Sequence, residues 1–423
     1  MEHERARTRA WVLHPEIKSD EQRRVPEPAL EEAVALAAAL PDLDVIGSEV
    51  VRLQRAQPGL LFGSGKIEEL AERLHDSEIE LVLIDGPVTP VQQRNLEKAW
   101  KVKILDRTGL ILEIFSDRAR TREGVLQVEM AALSYQRTRL VRAWTHLERQ
   151  RGGLGFVGGP GETQIEADRR AIDEQLVRLR RQLQKVVKTR TLHRAARAKV
   201  PYPIVALVGY TNAGKSTLFN RLTGAEVMAK DMLFATLDPT MRRVVLPDGP
   251  EVILSDTVGF ISNLPTELVA AFRATLEEVL GADLIVHVRD ISHEDSQAQA
   301  EDVQAILTAL GVDDERLMLE VWNKTDLLET DEKVATLARA ERDPAIFAIS
   351  AVTGDGVDPL LAEMARKLQG VRHQITLSLG FSEGDKRAWL FRQDVVRSEE
   401  QTEDGFEITV LWTEKQAAQY AGL

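Results

Sequence analysis

The chain has no cysteine among its 423 residues. That excludes disulfides and thiolate metal sites and fits a reducing compartment. No apolar run approaches the roughly 20 residues that a membrane span requires. The N-terminus, Met1-Glu-His-Glu-Arg5, is charged and lacks the apolar stretch of a signal peptide. Net positive charge is missing too: the formal charge is −13, which taken alone argues against a nucleic-acid partner. A content of 43% hydrophobic and 29% charged residues is that of an ordinary soluble protein. The length exceeds what one hydrophobic core supports, so three or four domains are expected.

The charge is unevenly spread. Arg118 to Lys199 holds 19 Lys/Arg against 8 Asp/Glu, inside an otherwise acidic chain. One strongly basic segment in an acidic protein points to a localised polyanion contact.

The most informative stretch runs from Ile204 to Thr217. An apolar β-run ends in Gly209, Gly214-Lys-Ser216 follows five residues later, and a helical run begins at Thr217. This is the full phosphate-loop pattern between a strand and a helix. Gly209 and Gly214 let backbone N–H groups turn inward, and the helix N-terminus adds partial positive charge. Gly209, Tyr210, Thr211, Asn212, Ala213, Gly214, Lys215, Ser216 and Thr217 are thus expected around the phosphates. Lys215 would reach the β- and γ-phosphates, and the Ser216 hydroxyl would ligate Mg²⁺.

Switch-like sequence follows at Asp231 to Thr240, then a hairpin of Arg242–Leu246 and Glu251–Ser255. Its second strand ends in Asp256-Thr257-Val258-Gly259. Asp256 would hold Mg²⁺, directly or through water, and the Gly259 N–H would bind the γ-phosphate. Asn323-Lys324-Thr-Asp326 selects the base. Asp326 can accept from guanine N1–H and N2 together, whereas adenine would leave the carboxylate unpaired. Asn323 would bond the N7 side, the Lys324 stem would cover the ring, and Ser350-Ala351-Val352 would present the Ala351 N–H to guanine O6.

The flanking sequence divides the chain into 1–117, 118–199, 200–370 and 371–423. The first part alternates β and α runs, which suggests a mostly parallel sheet. Expected there are strands at 8–13, 50–53, 80–85 and 102–105 and helices at 27–40, 66–74 and 91–98. Gly63-Ser-Gly-Lys66 resembles a second phosphate loop, but Leu60 replaces its first glycine and Ile67 its Mg²⁺-binding hydroxyl, so a helix-start turn is expected.

In 118–199 apolar residues recur at four and three, from Leu126 to Leu147 and from Ile172 to Val186, with Arg137 as the one break. Two heptad seams imply an antiparallel helical hairpin, roughly 35–40 Å long. The loop between them, Arg151 to Thr163, holds six glycines. Helical hairpins normally close in far fewer residues. The loop therefore reads as a contact for RNA or a nucleotide through Arg149, Arg151, Gly152, Gly153, Gly155, Gly158 and Gly159, with a mobile hinge as the alternative. The tail, 371–423, alternates like strands and carries no evident chemistry.

The glycine run at 152–163, the phosphate loop, Phe234-Ala235-Thr236-Leu237-Asp238, Asp256-Thr-Val-Gly-Phe260 and Asn323-Lys-Thr-Asp326 together resemble the HflX-type GTPases, over essentially all 423 residues. The resemblance implies a P-loop GTPase fold preceded by a small α/β domain and a helical hairpin, with a small α+β tail. It implies a Mg²⁺-dependent enzyme that turns GTP into GDP and phosphate. It also implies binding to the large ribosomal subunit, with a glycine loop reaching ribosomal RNA, and splitting or rescue of ribosomes under stress. In the family's pattern Thr236 is the switch threonine on Mg²⁺, and Thr240 is the other candidate by spacing. Lys215, Thr236 and Gly259 would then be the catalytic set, with Ser216, Thr236 and Asp256 at the metal. A cytoplasmic, ribosome-associated monomer is expected, and peripheral membrane association stays open.

Two features refine this reading. The position after Gly259 holds Phe260, which cannot orient water, so slow intrinsic turnover is expected. Asn212 occupies the slot where a class of potassium-stimulated GTPases places a K⁺ ligand; an Asn bonding its own backbone is the alternative. A signalling switch acting on a protein, or a GTPase coupled to RNA modification, are the other functional classes. The first would not need the basic hairpin, and the second lacks a second catalytic constellation.

Overall fold

A computed structural model describes residues 7–19, 24–150, 160–197, 202–225, 233–234, 240–247, 251–262, 278–312, 317–369, 372–393, 395–402 and 404–422. The first unit alternates strand and helix: β1 (Thr8–Ile17), α1 (Pro26–Ala38), β2 (Leu43–Leu53), α2 (Ser64–Asp76), β3 (Leu81–Ile84), α3 (Pro90–Trp100), β4 (Lys103–Asp106) and α4 (Arg107–Arg118). The four strands pair in parallel in the order β2-β1-β3-β4.

Local chemistry explains the boundaries. Thr89 starts α3 with a reciprocal capping box to Gln92, and Asp106 caps α4 by accepting from the Gly109 N–H. Gly63 is the cap of α2, and Lys66 pairs with Glu49 and Glu69, so this stretch is the helix-start turn its sequence suggested. β2 runs eleven residues, well beyond the expected 50–53, because it is an edge strand with no need of a continuous apolar face. Its Gly47 lies under the Trp11 ring, where a Cβ would come within 2.4 Å of the indole. Helix α4 had no counterpart in the sequence reading. Its run Leu110-Ile-Leu-Glu-Ile-Phe115 is apolar nearly all round, so it carries no amphipathic period, and it is buried between two domains.

Two long helices follow, α5 (Arg122–Gln150) and α6 (Pro160–Arg197), packed on one another. At 1.5 Å per residue they span about 44 and about 57 Å, longer than the heptad seams alone imply. Leu126, Leu176 and Leu179 are buried. The break at Arg137 is an ion pair, its Nε 2.7 Å from Asp173 of α6. A different face of α5, with Val128, Ala131 and Tyr135, packs into the core of the first unit.

The third unit contains β5 (Ile204–Gly209), α7 (Lys215–Thr223), β6 (Thr240–Val245), β7 (Glu251–Asp256), β8 (Leu284–Asp290), α8 (Ser296–Ala309), β9 (Met318–Asn323), α9 (Thr330–Ala340), β10 (Ile346–Ala348) and α10 (Val357–Gln369). Its sheet order is β10-β9-β8-β5-β7-β6, parallel except for the antiparallel edge pair β6–β7. The inner strands are buried on both faces, which is why they read as continuous apolar runs. The tail has an antiparallel sheet, β11 (Arg372–Gly380), β12 (Val396–Gln401) and β13 (Gly405–Thr413) in the order β11-β13-β12, with α11 (Gly384–Arg392) and α12 (Glu414–Ala421). Ile408, Val410 and Trp412 form its core with Leu379 and Leu390.

One apolar core joins the first and third units. Leu36, Ile111 and Phe115 share it with Leu233, Phe234, Val258, Phe260 and Ile261. Phe115 meets Phe234 edge to face, with centroids 4.7 Å apart.

Candidate nucleotide site

The site forms at the carboxyl ends of β5, β7, β8 and β9, where open parallel sheets place their ligands. Between β5 and α7 the loop turns tightly. Gly209 has φ 149°, and a Cβ there would lie 2.1 Å from the Val288 carbonyl oxygen of the neighbouring strand. Gly214 has φ 90°, and a Cβ there would lie 2.1 Å from Asn323 Nδ2. Both positions therefore exclude a side chain for conformational and steric reasons.

Lys215 is buried and donates to the Tyr210 carbonyl at 2.7 Å. Burial pushes its ammonium down to about 8, against the opposing pull of Asp256. The Ser216 hydroxyl donates to Asp256 Oδ2 at 2.7 Å, so a helix N-terminus and a strand end bring a hydroxyl and a carboxylate together. That oxygen pair is the hard donor set that Mg²⁺ prefers. Thr257 turns away and donates to the Leu207 carbonyl at 2.6 Å, tying β7 to β5. Val258 is buried in the shared core.

The base-side loops are braced to the phosphate side. Asn323 donates to the Ala213 carbonyl at 2.8 Å and accepts from the Ala351 N–H at 2.9 Å. Asn323 is only 1% exposed, so one amide joins three loops. Lys324, at φ 68°, pairs with Asp290 at 2.7 Å. Asp326 is exposed and free to face a base. Ser350 Oγ accepts from the Thr353 N–H at 3.1 Å, which rounds the loop that carries Ala351 and Val352.

Among the expected residues, those from Gly209 to Thr217, Phe234, Asp256 to Gly259, Asn323, Lys324, Asp326 and Ser350 to Val352 are described. Ala235, Thr236, Leu237 and Asp238 lie outside the described residues, as do Arg151, Gly152, Gly153, Gly155, Gly158 and Gly159. Arg149 lies in the last turn of α5, and its side chain is outside the description. Thr240 begins β6 opposite Asp256.

Sequence reasoning overlooked two braces. Arg221 of α7 donates to the Ala351 carbonyl at 2.6 Å and also to that of Val352, fixing the loop expected at guanine O6. Asp290 ends β8 and steers Lys324. Neither has a motif; only the meeting of β8, β9 and α7 gives them a role. It also overlooked the polar contacts between the first unit and this site. Tyr210 donates to Glu32 of α1, and Arg107 of α4 donates to Ser262.

A phosphate loop after β5, an Asp-x-x-Gly after β7 and an Asn-Lys-x-Asp after β9 define a P-loop GTPase of the α/β class. Comparison with known proteins agrees. Family profiles described as GTP-binding GTPase N-terminal, GTP-binding GTPase Middle Region, 50S ribosome-binding GTPase and HflX C-terminal domain match residues 27–116, 118–197, 204–324 and 335–421. The chain is 49% identical to GTPase HflX of Magnetococcus marinus over 404 residues, 95% of this chain and 90% of the relative. To GTPase HflX of Escherichia coli K12 it is 46% identical over 352 residues, 82% and 81% of the two chains. This chain belongs to the HflX GTPase family. A solved GTP-binding protein of Sulfolobus solfataricus in complex with GDP aligns at 21% identity and a TM-score of 0.46, covering 85% of this chain and 98% of that one. No helix among the described residues is long and apolar enough to cross a membrane.

Proposed function

We propose that this GTPase works on the large ribosomal subunit, splitting or rescuing ribosomes under stress, with hydrolysis stimulated by that subunit. The observation that carries the reading is the basic hairpin of α5 and α6. Its helices run 29 and 38 residues on either side of the glycine-rich stretch. A signalling switch has no use for such an arm. The profile matching 204–324 is described as that of a 50S ribosome-binding GTPase, which supports the same partner. Arg149, Arg151 and the loop glycines are the proposed RNA contacts, through phosphate pairing and close backbone approach.

At the chemical centre, water attacks the γ-phosphorus, the bond to the β–γ bridging oxygen breaks, and GDP leaves. Backbone N–H groups of 209–217 and Lys215 would hold the phosphates, and the Gly259 N–H would meet the γ-phosphate. Ser216, Asp256 and Thr236 would hold Mg²⁺, whose charge would offset that developing on the phosphate oxygens. Asp326, Asn323 and Ala351 would select guanine. Phe260 is buried in the apolar core and donates nothing to water, so unstimulated turnover is expected to be slow. Asn212 is exposed in the loop at φ 59° and is the residue that would ligate K⁺ if the GTPase is potassium-stimulated; an Asn serving only the turn is the other reading.

The test is GTP turnover with and without purified large subunits, in the full chain and in a deletion of residues 152–161. Strong stimulation that the deletion reduces is the expected result. Absence of stimulation in the full chain would overturn the ribosomal reading in favour of a protein activator.

A further inference from the structure

Hydrolysis needs a group that holds the attacking water in line with the γ-phosphorus. The residue after Gly259 is Phe260, whose ring is buried in the apolar core and offers no hydrogen bond. The backbone there is stitched to the phosphate loop. The Thr211 N–H donates to the Phe260 carbonyl at 2.7 Å, the Phe260 N–H donates to the Gly209 carbonyl at 3.1 Å, and Tyr210 pairs with Phe260 as an isolated parallel bridge. Thr211 is thereby set alongside Gly259 and Phe260.

Thr211 is 6% exposed, and its hydroxyl oxygen is closed off from solvent with no hydrogen-bond partner among the described residues. A loop threonine ordinarily bonds a nearby backbone group, and a buried hydroxyl left unpaired costs stability. Neighbouring hydroxyls are engaged: Ser216 with Asp256, Thr257 with the Leu207 carbonyl, and Tyr210 with Glu32. The Thr211 methyl lies 2.7 Å from where a Cβ on Gly259 would stand, and Lys215 Nζ lies 3.0 Å from the same point. Thr211, Lys215 and Gly259 thus converge on one small region. Lys215 and the Gly259 N–H are the groups assigned above to the γ-phosphate, so the threonine stands at that end of the nucleotide. Its methyl and hydroxyl share one β-carbon, and a single turn about χ1 exchanges them. An unpaired buried polar group persists in a fold where function uses it.

We propose that Thr211 is a catalytic residue for GTP hydrolysis, its hydroxyl binding and orienting the attacking water at the γ-phosphate, the task that Phe260 cannot perform. Thr211 Oγ1 accepts a hydrogen bond from the water and donates its own to a γ-phosphate oxygen. The water oxygen forms the new bond to the γ-phosphorus, and the bond to the β–γ bridging oxygen breaks with its electron pair leaving on GDP. The water proton passes to the phosphate product, and the threonine keeps its own. One neutral hydroxyl supplies only part of the organisation that hydrolysis needs, in keeping with the slow unstimulated turnover expected here. The role rests on the assignment of the γ-phosphate to Lys215 and Gly259, and not on the ribosomal reading.

The experiment uses the full chain and nucleotides alone. Single-turnover GTP hydrolysis, the affinity for GDP and the melting temperature of the nucleotide-free protein are measured for wild type, Thr211→Val, Thr211→Ser and Lys215→Ala. Valine keeps the shape and removes the hydroxyl. Thr211→Val is expected to slow hydrolysis about tenfold, the scale of a hydrogen bond to a charged group, while GDP affinity stays within about twofold. The same variant should melt about 2–4 °C higher, because an unpaired buried hydroxyl has gone. Thr211→Ser, which retains the hydroxyl, should keep turnover within about threefold of wild type. A threonine with a merely structural role would not move stability and turnover in opposite directions. Unchanged hydrolysis in Thr211→Val, slower hydrolysis matched by an equal loss of GDP affinity, or slower hydrolysis with a lower melting temperature would each overturn the role. Lys215→Ala is the control for the site. Retained nucleotide affinity in that variant would overturn the phosphate assignment and the proposal with it, whereas lost affinity beside wild-type turnover in Thr211→Val would remove the role of Thr211 alone.

Discussion

Replacing Asn323 with alanine tests how the guanine and phosphate halves of the site are joined. The Asn323 amide makes two short bonds, to the Ala213 carbonyl at 2.8 Å and from the Ala351 N–H at 2.9 Å, in a place closed to water. Alanine leaves both backbone groups buried and unpaired. Each such group costs about 1–3 kcal/mol, and partial relaxation brings the expected total to about 2–4 kcal/mol. The loss should be visible before any nucleotide is added. For a domain of this size each kcal/mol lowers the melting temperature by about 2–4 °C, so a drop of roughly 4–16 °C is expected. The assay is thermal unfolding followed by tryptophan fluorescence, for which Trp322, the neighbouring residue and 5% exposed, is a local reporter. Affinity for GDP and GTP should fall together, because the brace orients Ala351 and the phosphate loop alike. A melting temperature within 1–2 °C of wild type would refute the reasoning, since it would mean that water or a rearranged loop satisfies both groups.

Lys215 sets a pH dependence of opposite sign for stability and for binding. Its folded value, about 8, lies below that of the unfolded chain, so between about 8 and 10.5 the unfolded state holds more protons and stability rises with pH. Bound phosphate favours the charged ammonium, so nucleotide affinity should fall over the same range with proton uptake, measured by titration calorimetry in two buffers of different ionisation enthalpy. Identical heats in the two buffers would contradict it. Gly209→Ala should abolish nucleotide binding and destabilise the domain, because its Cβ would sit 2.1 Å from the Val288 carbonyl oxygen on the rigid neighbouring strand; retained GDP affinity by equilibrium dialysis would count against this. Turnover at equal ionic strength should be faster in K⁺ than in Na⁺ if Asn212 holds a cation, and equal rates would remove that role.

Much of the chemistry was legible along the chain because its signals are local. The phosphate loop needs glycines at fixed spacing, and Asp326 needs a strand end before it; both requirements are written in neighbouring residues. The all-parallel sheet of the first unit was readable from alternating β and α runs, and the hairpin from its heptad seams. Helix α4 and the first part of the edge strand β2, before the expected 50–53, were not: α4 is apolar nearly all round, and Leu43 to Glu49 of β2 is only partly buried on either face. Periodicity needs a contrast between two faces, and neither element has it.

The tertiary structure decided how the pieces hold one another. Nothing in the sequence marks Arg107, Glu32 or Ser262, because each gains meaning only from a partner far away in the chain. Burial is what makes these contacts matter: a guanidinium closed off from water must find carboxylates and carbonyls, and it finds them across a domain boundary. The sequence by itself determined that the chain is a GTPase, through motifs whose residues lie close together along it. The fold alone decided that the segment after Gly259 rests on the first domain, because that contact depends on two distant surfaces being packed into one core.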